Sequence, residues 1–271
     1  MNPINTYQSF FDSSSFTRNL ITKQYYQLVS NFLDRAEVSF MDYGYAELGS
    51  NPKTIILDET DEPYRMPTQL YHHLASSINL DGKDVLEVSC GRGGGAAFIN
   101  RYHHPRSLIG IDRTPQAIRY CRRKHLLPGL SFLQGDAEAI DFGSECFDVA
   151  VNVEASHLYG HVETFLAEVY RILRPGGYLL MADKRTAPEI QLLHHQISES
   201  GLQVIREHDI SANVLQSIRW QRAQRIQTLQ YLLPHNLFWL AVHLIGADGS
   251  HLAEGLTTGN TVYLSFVLQK I

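Results

Sequence analysis

The stretch "VLEVSCGRGGGAAFI", residues 85–99, places a carboxylate inside an apolar run and then four glycines within five positions. An apolar, β-branched run that ends in glycines is typical of a buried strand turning into a helix. Glycine at such a turn lets the backbone approach a ligand closely. The stretch therefore predicts the first strand, turn and helix of an α/β domain, with a ligand site at the turn.

The same rhythm repeats along the chain, with short apolar runs that end at a polar residue and amphipathic stretches between them. Helical spacing covers 115–125 and 161–173, and the second is followed by "RPGG", which indicates a helix stop and a turn. Strands are expected at 84–89, 107–112, 130–136, 147–154, 177–183, 202–209 and 260–269. This pattern predicts an α/β fold with a doubly wound, seven-stranded, Rossmann-like sheet.

Two accessory segments flank the predicted sheet units. Apolar and aromatic residues recur at helical spacing from Tyr25 to Phe40, which favours a helical cap before the first strand. A long helical pattern and an aromatic-rich stretch precede the last strand, which favours a helical lid. The expected division is a cap at 1–80, a core at 81–210, a lid at 211–258 and a final core strand at 259–271.

Composition narrows the class of protein. The 271 residues carry a net charge of −5 and are 44% apolar, as in an ordinary soluble domain. No run of Lys or Arg suggests nucleic acid or an anionic membrane surface, and no run of about 18 apolar residues suggests stable membrane insertion. Cys90, Cys121 and Cys146 lack metal-site spacing, so no metal is expected. We expect a cytoplasmic location because no signal peptide is evident.

The glycine turn admits more than one ligand. Gly91, Gly93 and Ala96 fit a dinucleotide fingerprint, and Asp112 follows about twenty residues on, ready for a ribose hydroxyl. Glu87 favours another ligand, because a buried carboxylate needs a cation or fixed donors and a sulfonium would supply positive charge. No Tyr-x-x-x-Lys follows the fifth strand, which disfavours a nicotinamide oxidoreductase. A core ion pair at Glu87 and a plain turn stay as alternatives.

The long segment "QGDAEAIDFGSECFDVAVNVEASHLYGHVETFLAEVYRILRPGGYLLMAD", 134–183, together with the glycine loop, resembles the class I S-adenosylmethionine-dependent methyltransferases. The resemblance implies S-adenosylmethionine as cofactor, with S-adenosylhomocysteine as product. It places the glycine loop beside the methionine part, one acid on the ribose and a later acid beside the adenine. The residues it implies for cofactor binding are Glu87, Gly91, Gly93, Asp112, Arg113, Asp136, Ala137 and Asn152.

Three stretches carry a narrower resemblance: the opening one, "NVEASHLYGH" and "FLAEVYRILRPGGYLLMADKR". They are similar to the mycobacterial phthiotriolone dimycocerosate methyltransferases, which O-methylate a lipid hydroxyl, and to relatives that act on polyketides and other natural products. "MDYGYAEL", 41–48, is similar to an "NYGYW" segment that folds over the cofactor, which implies that Tyr43 and Tyr45 close the pocket. Ala46 departs from that pattern, and both tyrosines could instead be core aromatics.

Transfer to a hydroxyl benefits from a base, because an alcohol is almost wholly protonated near neutral pH. His157 follows the fourth predicted strand and Asp183 ends the fifth, so both belong to the edge where such sheets bind ligands. Asp183 would orient the imidazole, as a matching pair does in related natural-product methyltransferases, and Glu154 is a second catalytic candidate. A structural His157, a helix N-cap at Asp183 and a solvated Lys184–Arg185 pair are the alternatives.

The lid bears on the substrate. Its apolar residues suit a hydrophobic small molecule, although the same face could pack on the core or form a homodimer. The sequence therefore predicts methyl transfer to a hydroxyl of a polyketide, lipid or other natural product. N- or C-methylation is an alternative, as is a cyclase or pericyclase that uses the bound sulfonium as a fixed charge.

Overall fold

The computed structural model describes residues 38–49, 55–242 and 247–271, which contain one seven-stranded sheet with helices on both faces. The strands are β1 Asp84–Val88, β2 Ser107–Asp112, β3 Leu130–Gln134, β4 Phe147–Val153, β5 Leu173–Thr186, β6 Leu202–Asp209 and β7 Thr261–Lys270. The helices are α1 Arg65–Ala75, α2 Gly94–His103, α3 Pro115–Lys124, α4 Val162–Ile172, α5 Ala187–Glu199, α6 Ser211–Leu232, α7 His235–Leu240 and α8 Ser250–Thr258. The predicted α/β class and seven strands are confirmed.

The strand order is β3-β2-β1-β4-β5-β7-β6. β1 to β5 run parallel, whereas β7 runs antiparallel between β5 and β6. The chain winds outward in opposite directions from β1 and from β4, so a crevice opens at the carboxyl ends of these two strands. The ligand site is expected in that crevice.

Apolar cores lie on both faces of the sheet. On one face, α1, α2, α6 and α8 contribute buried residues such as Leu74, Phe98, Ile218 and Leu256. On the other face, α4 and α5 contribute buried residues such as Phe165 and Ile197. β1 and β4 are buried on both sides, which explains their nearly continuous apolar sequences.

The connection from α4 to β5 differs from the expectation. The helix stops at Ile172 as predicted, but the expected turn at "RPGG" is wrong, because β5 begins directly at Leu173. The pairing with β4 jumps from Leu173 to Tyr178, and Gly176 in between has a φ of +77°. The Pro and Gly residues therefore form an irregularity within the strand.

The accessory segments are described in part. Most of the helix expected from Tyr25 to Phe40 lies outside the described residues, and Val38–Phe40 is not helical. Helices α6, α7 and α8 lie between β6 and β7, where the lid was expected. Tyr231 and Trp239 are exposed there, whereas Phe238 is buried. The division into four segments stays a prediction. In the part of the chain that the structure covers, no helix combines the length and apolarity needed to cross a bilayer.

Candidate active site

Two glycines of the loop after β1 adopt left-handed backbone. Gly91 has a φ of +52° and Gly93 a φ of +75°, a region that other residues occupy at a cost. A Cβ at Gly93 would lie 2.8 Å from the Phe132 ring, so core packing also requires glycine there. A Cβ at Gly91 would meet nothing closer than Met41 Sδ at 3.8 Å. Gly91 therefore leaves room beside the backbone, whereas Gly93 is also fixed by the core.

Glu87 lies in β1 and is 1% exposed. The Tyr71 hydroxyl donates to its Oε1 at 2.8 Å and the Ala96 backbone N–H lies close to the carboxyl group, while Oε2 has no hydrogen bond of ordinary geometry among the described residues. The alternative of a core ion pair with Lys or Arg is not found in this part of the chain. Burial raises the pKa of Glu87 to about 8, and the nearby charges of Asp42 and Asp112 add to the shift. A cation beside Glu87 would favour its ionised form.

Asn152 presents a second buried acceptor. Its Nδ2 donates to the Val88 carbonyl at 3.0 Å and to the Tyr159 hydroxyl at 2.8 Å, but Oδ1 has no partner within the described ranges. Val151 pairs with Glu87 across β1 and β4, and side chains alternate along a strand, so Glu87 and Asn152 lie near the same sheet edge but project to opposite faces. Buried acceptors without donors are rare, and an N–H donor or a positive charge beside either oxygen would satisfy it.

Asp112, at the end of β2, is fixed beside the glycine loop. Its Oδ2 accepts from the Gly91 backbone N–H at 3.0 Å, and its Oδ1 accepts from the Thr114 N–H at 2.8 Å. Burial raises the pKa of Asp112. The carboxylate is therefore oriented at the rim of the crevice, where a ribose could reach it. The neighbouring Arg113 is exposed.

The loop after β3 contributes the next part of the edge. Ala137 is 7% exposed, whereas Asp136 is exposed and accepts a hydrogen bond from the Glu138 N–H at 3.0 Å. Glu138 in turn accepts from the Gly160 N–H at 2.8 Å, which ties this loop to the one after β4. The role of Asp136 and Ala137 beside the adenine stays a prediction.

His157 and Asp183 form a hydrogen-bonded pair. The Nδ1 of His157 lies 2.7 Å from Asp183 Oδ1, and the His157 backbone N–H donates to Oδ2 at 2.8 Å. The short 3-10 turn Ser156–Leu158 after β4 presents the histidine to β5. The His157 side chain is 17% exposed and that of Asp183 is 1% exposed. The topology thus brings together two residues that are 26 positions apart.

Asp183 is surrounded by donors. It accepts from Ser156 Oγ at 2.6 Å and from the Lys184 N–H at 2.8 Å, and Arg185 Nη1 lies 3.1 Å away. Burial alone would raise its pKa, but His157 and Arg185 together with these hydrogen bonds hold the pKa well below its usual range. Burial lowers the pKa of His157. The ionised Asp183 fixes the tautomer with a proton on Nδ1, which leaves a lone pair on Nε2.

The alternative role for Asp183 as a helix N-cap is wrong. Thr186 caps α5, and Glu189 completes a capping box with it. The alternative that Lys184 and Arg185 are both solvated is also wrong for Arg185. Its side chain is 5% exposed and donates to Ser156 Oγ at 2.7 Å.

Glu154 follows β4 with a φ of +51°. Its Oε2 accepts from the Tyr43 backbone N–H at 3.0 Å and from the Tyr263 hydroxyl at 3.1 Å. Burial raises the pKa of Glu154 to about 7. Glu154 therefore holds together two distant parts of the chain, and its catalytic role stays a prediction.

The two tyrosines of "MDYGYAEL" differ in environment. Tyr45 is 8% exposed and stacks on the His73 ring with centroids 4.8 Å apart, so it is a core aromatic. The half-buried Tyr43 ring lies 5.4 Å from Lys184 Nζ and 4.8 Å from Arg225 Cζ. The environment of Tyr45 favours the alternative of a core aromatic, and closure of the pocket by either tyrosine stays a prediction.

Several residues that contact the predicted site residues could not be identified from the sequence. They are Tyr71, Ser156, Tyr159, Arg185 and Tyr263. Ser156 and Tyr159 flank His157 and could have been found from that proximity. Tyr71 and Tyr263 come from distant segments and carry no local signal.

The fold and the crevice together define a class of protein. A doubly wound sheet with an antiparallel β7, a glycine loop and buried acceptors at the ends of β1 and β4 fits a methyltransferase that binds a sulfonium cofactor. A model of the methyltransferase domain family matches residues 86–181.

Curated relatives cover most of the chain. The phthiotriol/phenolphthiotriol dimycocerosates methyltransferase of Mycobacterium leprae (strain TN) is 39% identical over 246 residues, which cover 91% of this chain and 90% of that protein. The fatty-acid O-methyltransferase of Mycolicibacterium smegmatis is 40% identical over 196 residues, 72% of this chain and 71% of that protein. The chain belongs to this family of S-adenosylmethionine-dependent methyltransferases, and S-adenosylmethionine is its cofactor.

Solved structures share the fold. The cyclase SpnF has a TM-score of 0.68 at 19% identity, over 92% of this chain and 94% of that chain. A putative sarcosine dimethylglycine methyltransferase from Galdieria sulphuraria also has a TM-score of 0.68, at 15% identity, over 88% of this chain and 96% of that chain. At such identities the likeness extends to the fold alone.

Proposed function

We propose that this protein transfers a methyl group to a hydroxyl of a lipid-like or other apolar small molecule, with His157 as general base. The observation that supports the proposal most strongly is the His157–Asp183 pair, joined at 2.7 Å at the carboxyl edge of the sheet. A base is needed for a neutral hydroxyl, and the pair supplies one.

The cofactor half of the proposal assigns a part to each residue of the crevice. S-adenosylmethionine supplies an activated methyl group, so the protein mainly aligns the acceptor with it. Glu87 and Asn152, each with an orphan buried oxygen, would receive the positively charged methionine part. Asp112 would bind the ribose hydroxyls beside Gly91, and Asp136 with Ala137 would flank the adenine.

The second part of the proposal concerns the His157–Asp183 pair, which we call the dyad, and the proton of the acceptor hydroxyl. His157 is neutral near pH 7, because burial lowers its pKa from 6.5. Its Nε2 would accept the hydroxyl proton as the new bond forms, and the buried carboxylate of Asp183 would stabilise the resulting imidazolium. Arg185 and Ser156 hold that carboxylate in place, so the imidazole need not reorient during the step.

The substrate class is drawn from the names of the relatives. One relative is named for phthiotriol and phenolphthiotriol dimycocerosates and another for fatty acids, so both names denote lipids. The two acceptors differ chemically, since a fatty acid is already ionised at pH 7 and needs no base. A hydrogen-bonded imidazole at the edge of the sheet therefore favours a hydroxyl acceptor over a carboxylate.

The test uses S-adenosylmethionine labelled in the methyl group with a long-chain secondary alcohol and a fatty acid of equal length. We expect labelled ether from the alcohol and a loss of that product in His157→Ala. Any ester formed from the fatty acid should survive the substitution. Ester as the main product, or cofactor binding with no labelled acceptor, would contradict the proposal, and the second result would favour cyclase-type chemistry.

A further inference from the structure

A segment from the N-terminal part of the chain crosses the carboxyl edge of the sheet. We call residues 38–46 the strap. At its start, the Ser39 carbonyl accepts from the Gly94 N–H at 3.1 Å, and Arg92 Nε donates to the Val38 carbonyl. Gly94 opens α2 directly after the glycine loop. The strap therefore begins against the turn where the cofactor is expected.

The far end of the strap is fixed to two helices. The Tyr45 N–H donates to the Met66 carbonyl at 2.9 Å in α1. The Ala46 N–H donates to the Asn213 carbonyl at 3.2 Å, and Asn213 Nδ2 donates to the Ala46 carbonyl at 2.9 Å. These bonds place the end of the strap between α1 and α6, away from the glycine loop.

The middle of the strap depends on Tyr43. Its carbonyl accepts from Ser217 Oγ at 2.7 Å and from Gln221 Nε2 at 3.0 Å, both on the lid helix α6. Its N–H donates to Glu154 Oε2 at 3.0 Å. Among the described residues, Glu154 is what joins this point of the strap to the end of β4 by a hydrogen bond.

Two features of Glu154 cost free energy in the folded protein. Its left-handed backbone is strained for a residue with a side chain, and its carboxyl group is buried. Strain of this kind clusters at functional sites, where the surrounding structure holds it. Both donors to Glu154, the Tyr43 N–H and the Tyr263 hydroxyl, reach the same Oε2. One carbonyl-type oxygen is sufficient for both bonds.

We infer that Glu154 is a positioning residue that latches the strap over the cofactor crevice as a hydrogen-bond acceptor, and is not the proton acceptor of the reaction. The inference rests on the proposed function, in which His157 takes the proton. It requires an oxygen at this place and no negative charge. Glutamine supplies that oxygen with the same shape, whereas glycine removes it and relieves the left-handed backbone.

The experiment compares Glu154→Gln with Glu154→Gly, because glycine suits a φ of +51° and so guards against a folding defect. S-adenosylhomocysteine is titrated by calorimetry, and amide hydrogen exchange of the strap is followed with and without it. We expect E154G to lose at least about tenfold in affinity and to exchange rapidly at the strap. E154Q should stay within about threefold of the parent affinity and keep its protection. Asn213→Ala, which removes one bond at the far end of the strap, is the control and should bind like the parent.

Two results would overturn the inference. Equal damage in E154Q and E154G would mean that the negative charge is needed, and parent-like affinity and protection in E154G would mean that no latch exists. The proposed function has its own test, because labelled methyl transfer to an alcohol by the parent protein does not depend on these variants.

Discussion

Two clusters at the same sheet edge handle their buried polar groups in opposite ways. In the acceptor cluster, Glu87 and Asn152 each keep one buried oxygen without a donor in the described chain. In the dyad cluster, Asp183 receives donors from Ser156, His157 and Arg185. We expect a bound ligand to supply what the first cluster lacks, whereas the second cluster already holds its donors within the chain.

The difference has an energetic basis. A buried acceptor without a partner costs about 1–3 kcal/mol, which a bound donor or cation can recover. A carboxylate that already holds several donors gains little from a ligand but fixes the direction of the imidazole beside it. The acceptor cluster should therefore control affinity, and the dyad cluster should control rate.

The largest expected effect comes from breaking the dyad cluster. His157→Ala should lower turnover on an alcohol acceptor by about 100-fold or more, because the base is lost. The affinity for S-adenosylhomocysteine should not change, since His157 belongs to the other cluster. Steady-state kinetics with calorimetry on the same sample measures both quantities. Full turnover in the variant would make His157 a structural residue.

The pH dependence of turnover in the parent protein also tests His157 as the general base. In the proposed reaction the neutral imidazole of His157 accepts the proton, and burial lowers its pKa below 6.5. Turnover should therefore hold at pH 7 and fall as the pH drops below about 6.5, with the midpoint at the lowered value. An acid limb centred above pH 7 would contradict the assignment.

The next effect comes from Asp112, which lies beside the glycine loop and belongs to neither cluster. Asp112→Ala should weaken cofactor binding by about 1–3 kcal/mol, or roughly 5- to 150-fold, through loss of a charge-assisted hydrogen bond. Turnover at saturating cofactor should change less. The exposed Asp141 offers a matched control, and Asp141→Ala should bind like the parent. An unchanged dissociation constant in the Asp112 variant would refute the ribose assignment.

The smallest effect is expected for Glu87→Gln, which should change the stability of the protein and its affinity for the cofactor in opposite directions. Its pKa rises from 4.5 in the reference state to about 8 in the folded chain, so the folded state holds a proton that the unfolded state releases. Stability from this group is present below about pH 4.5 and is lost as the pH rises toward 8. Glu87→Gln lacks this loss, so it should raise the unfolding temperature at pH 8 and weaken cofactor binding about three- to tenfold. Thermal unfolding of the parent and of Glu87→Gln is compared at pH 5 and pH 8. An unfolding temperature at pH 8 that is lower in the variant than in the parent would contradict the prediction.

Much of the sheet could be predicted because its physics is local. Parallel strands buried on both faces appear as short apolar runs, and each run ends at a polar residue that meets the ligand edge. His157 follows β4, and Asp183 lies near the carboxyl end of the neighbouring β5, which continues to Thr186 and not to Asp183 as expected, so their proximity follows from topology. The start of β5 was not predictable in this way, because Pro175 and Gly176 usually end an element.

Other residues depend on contacts that no local pattern encodes. Tyr71 reaches Glu87 from α1, and Tyr263 reaches Glu154 from β7 across 109 positions. Arg185 follows Lys184 in sequence like a solvated pair, yet the tertiary structure buries it against Asp183. Alternation along a strand decides which of two adjacent cations is buried, and the packing on each face decides the rest.

The most direct test of the two-cluster account is the proton count of cofactor binding. S-adenosylmethionine is titrated at pH 7 in buffers of different ionisation enthalpy, with Glu87→Gln as the control. Glu87 is mostly protonated in the free protein at that pH and should ionise beside the positively charged ligand. We expect the parent protein to release about one proton per molecule of S-adenosylmethionine bound, and Glu87→Gln to release none. Binding heats that do not depend on the buffer in the parent, or the same release in the variant, would contradict it.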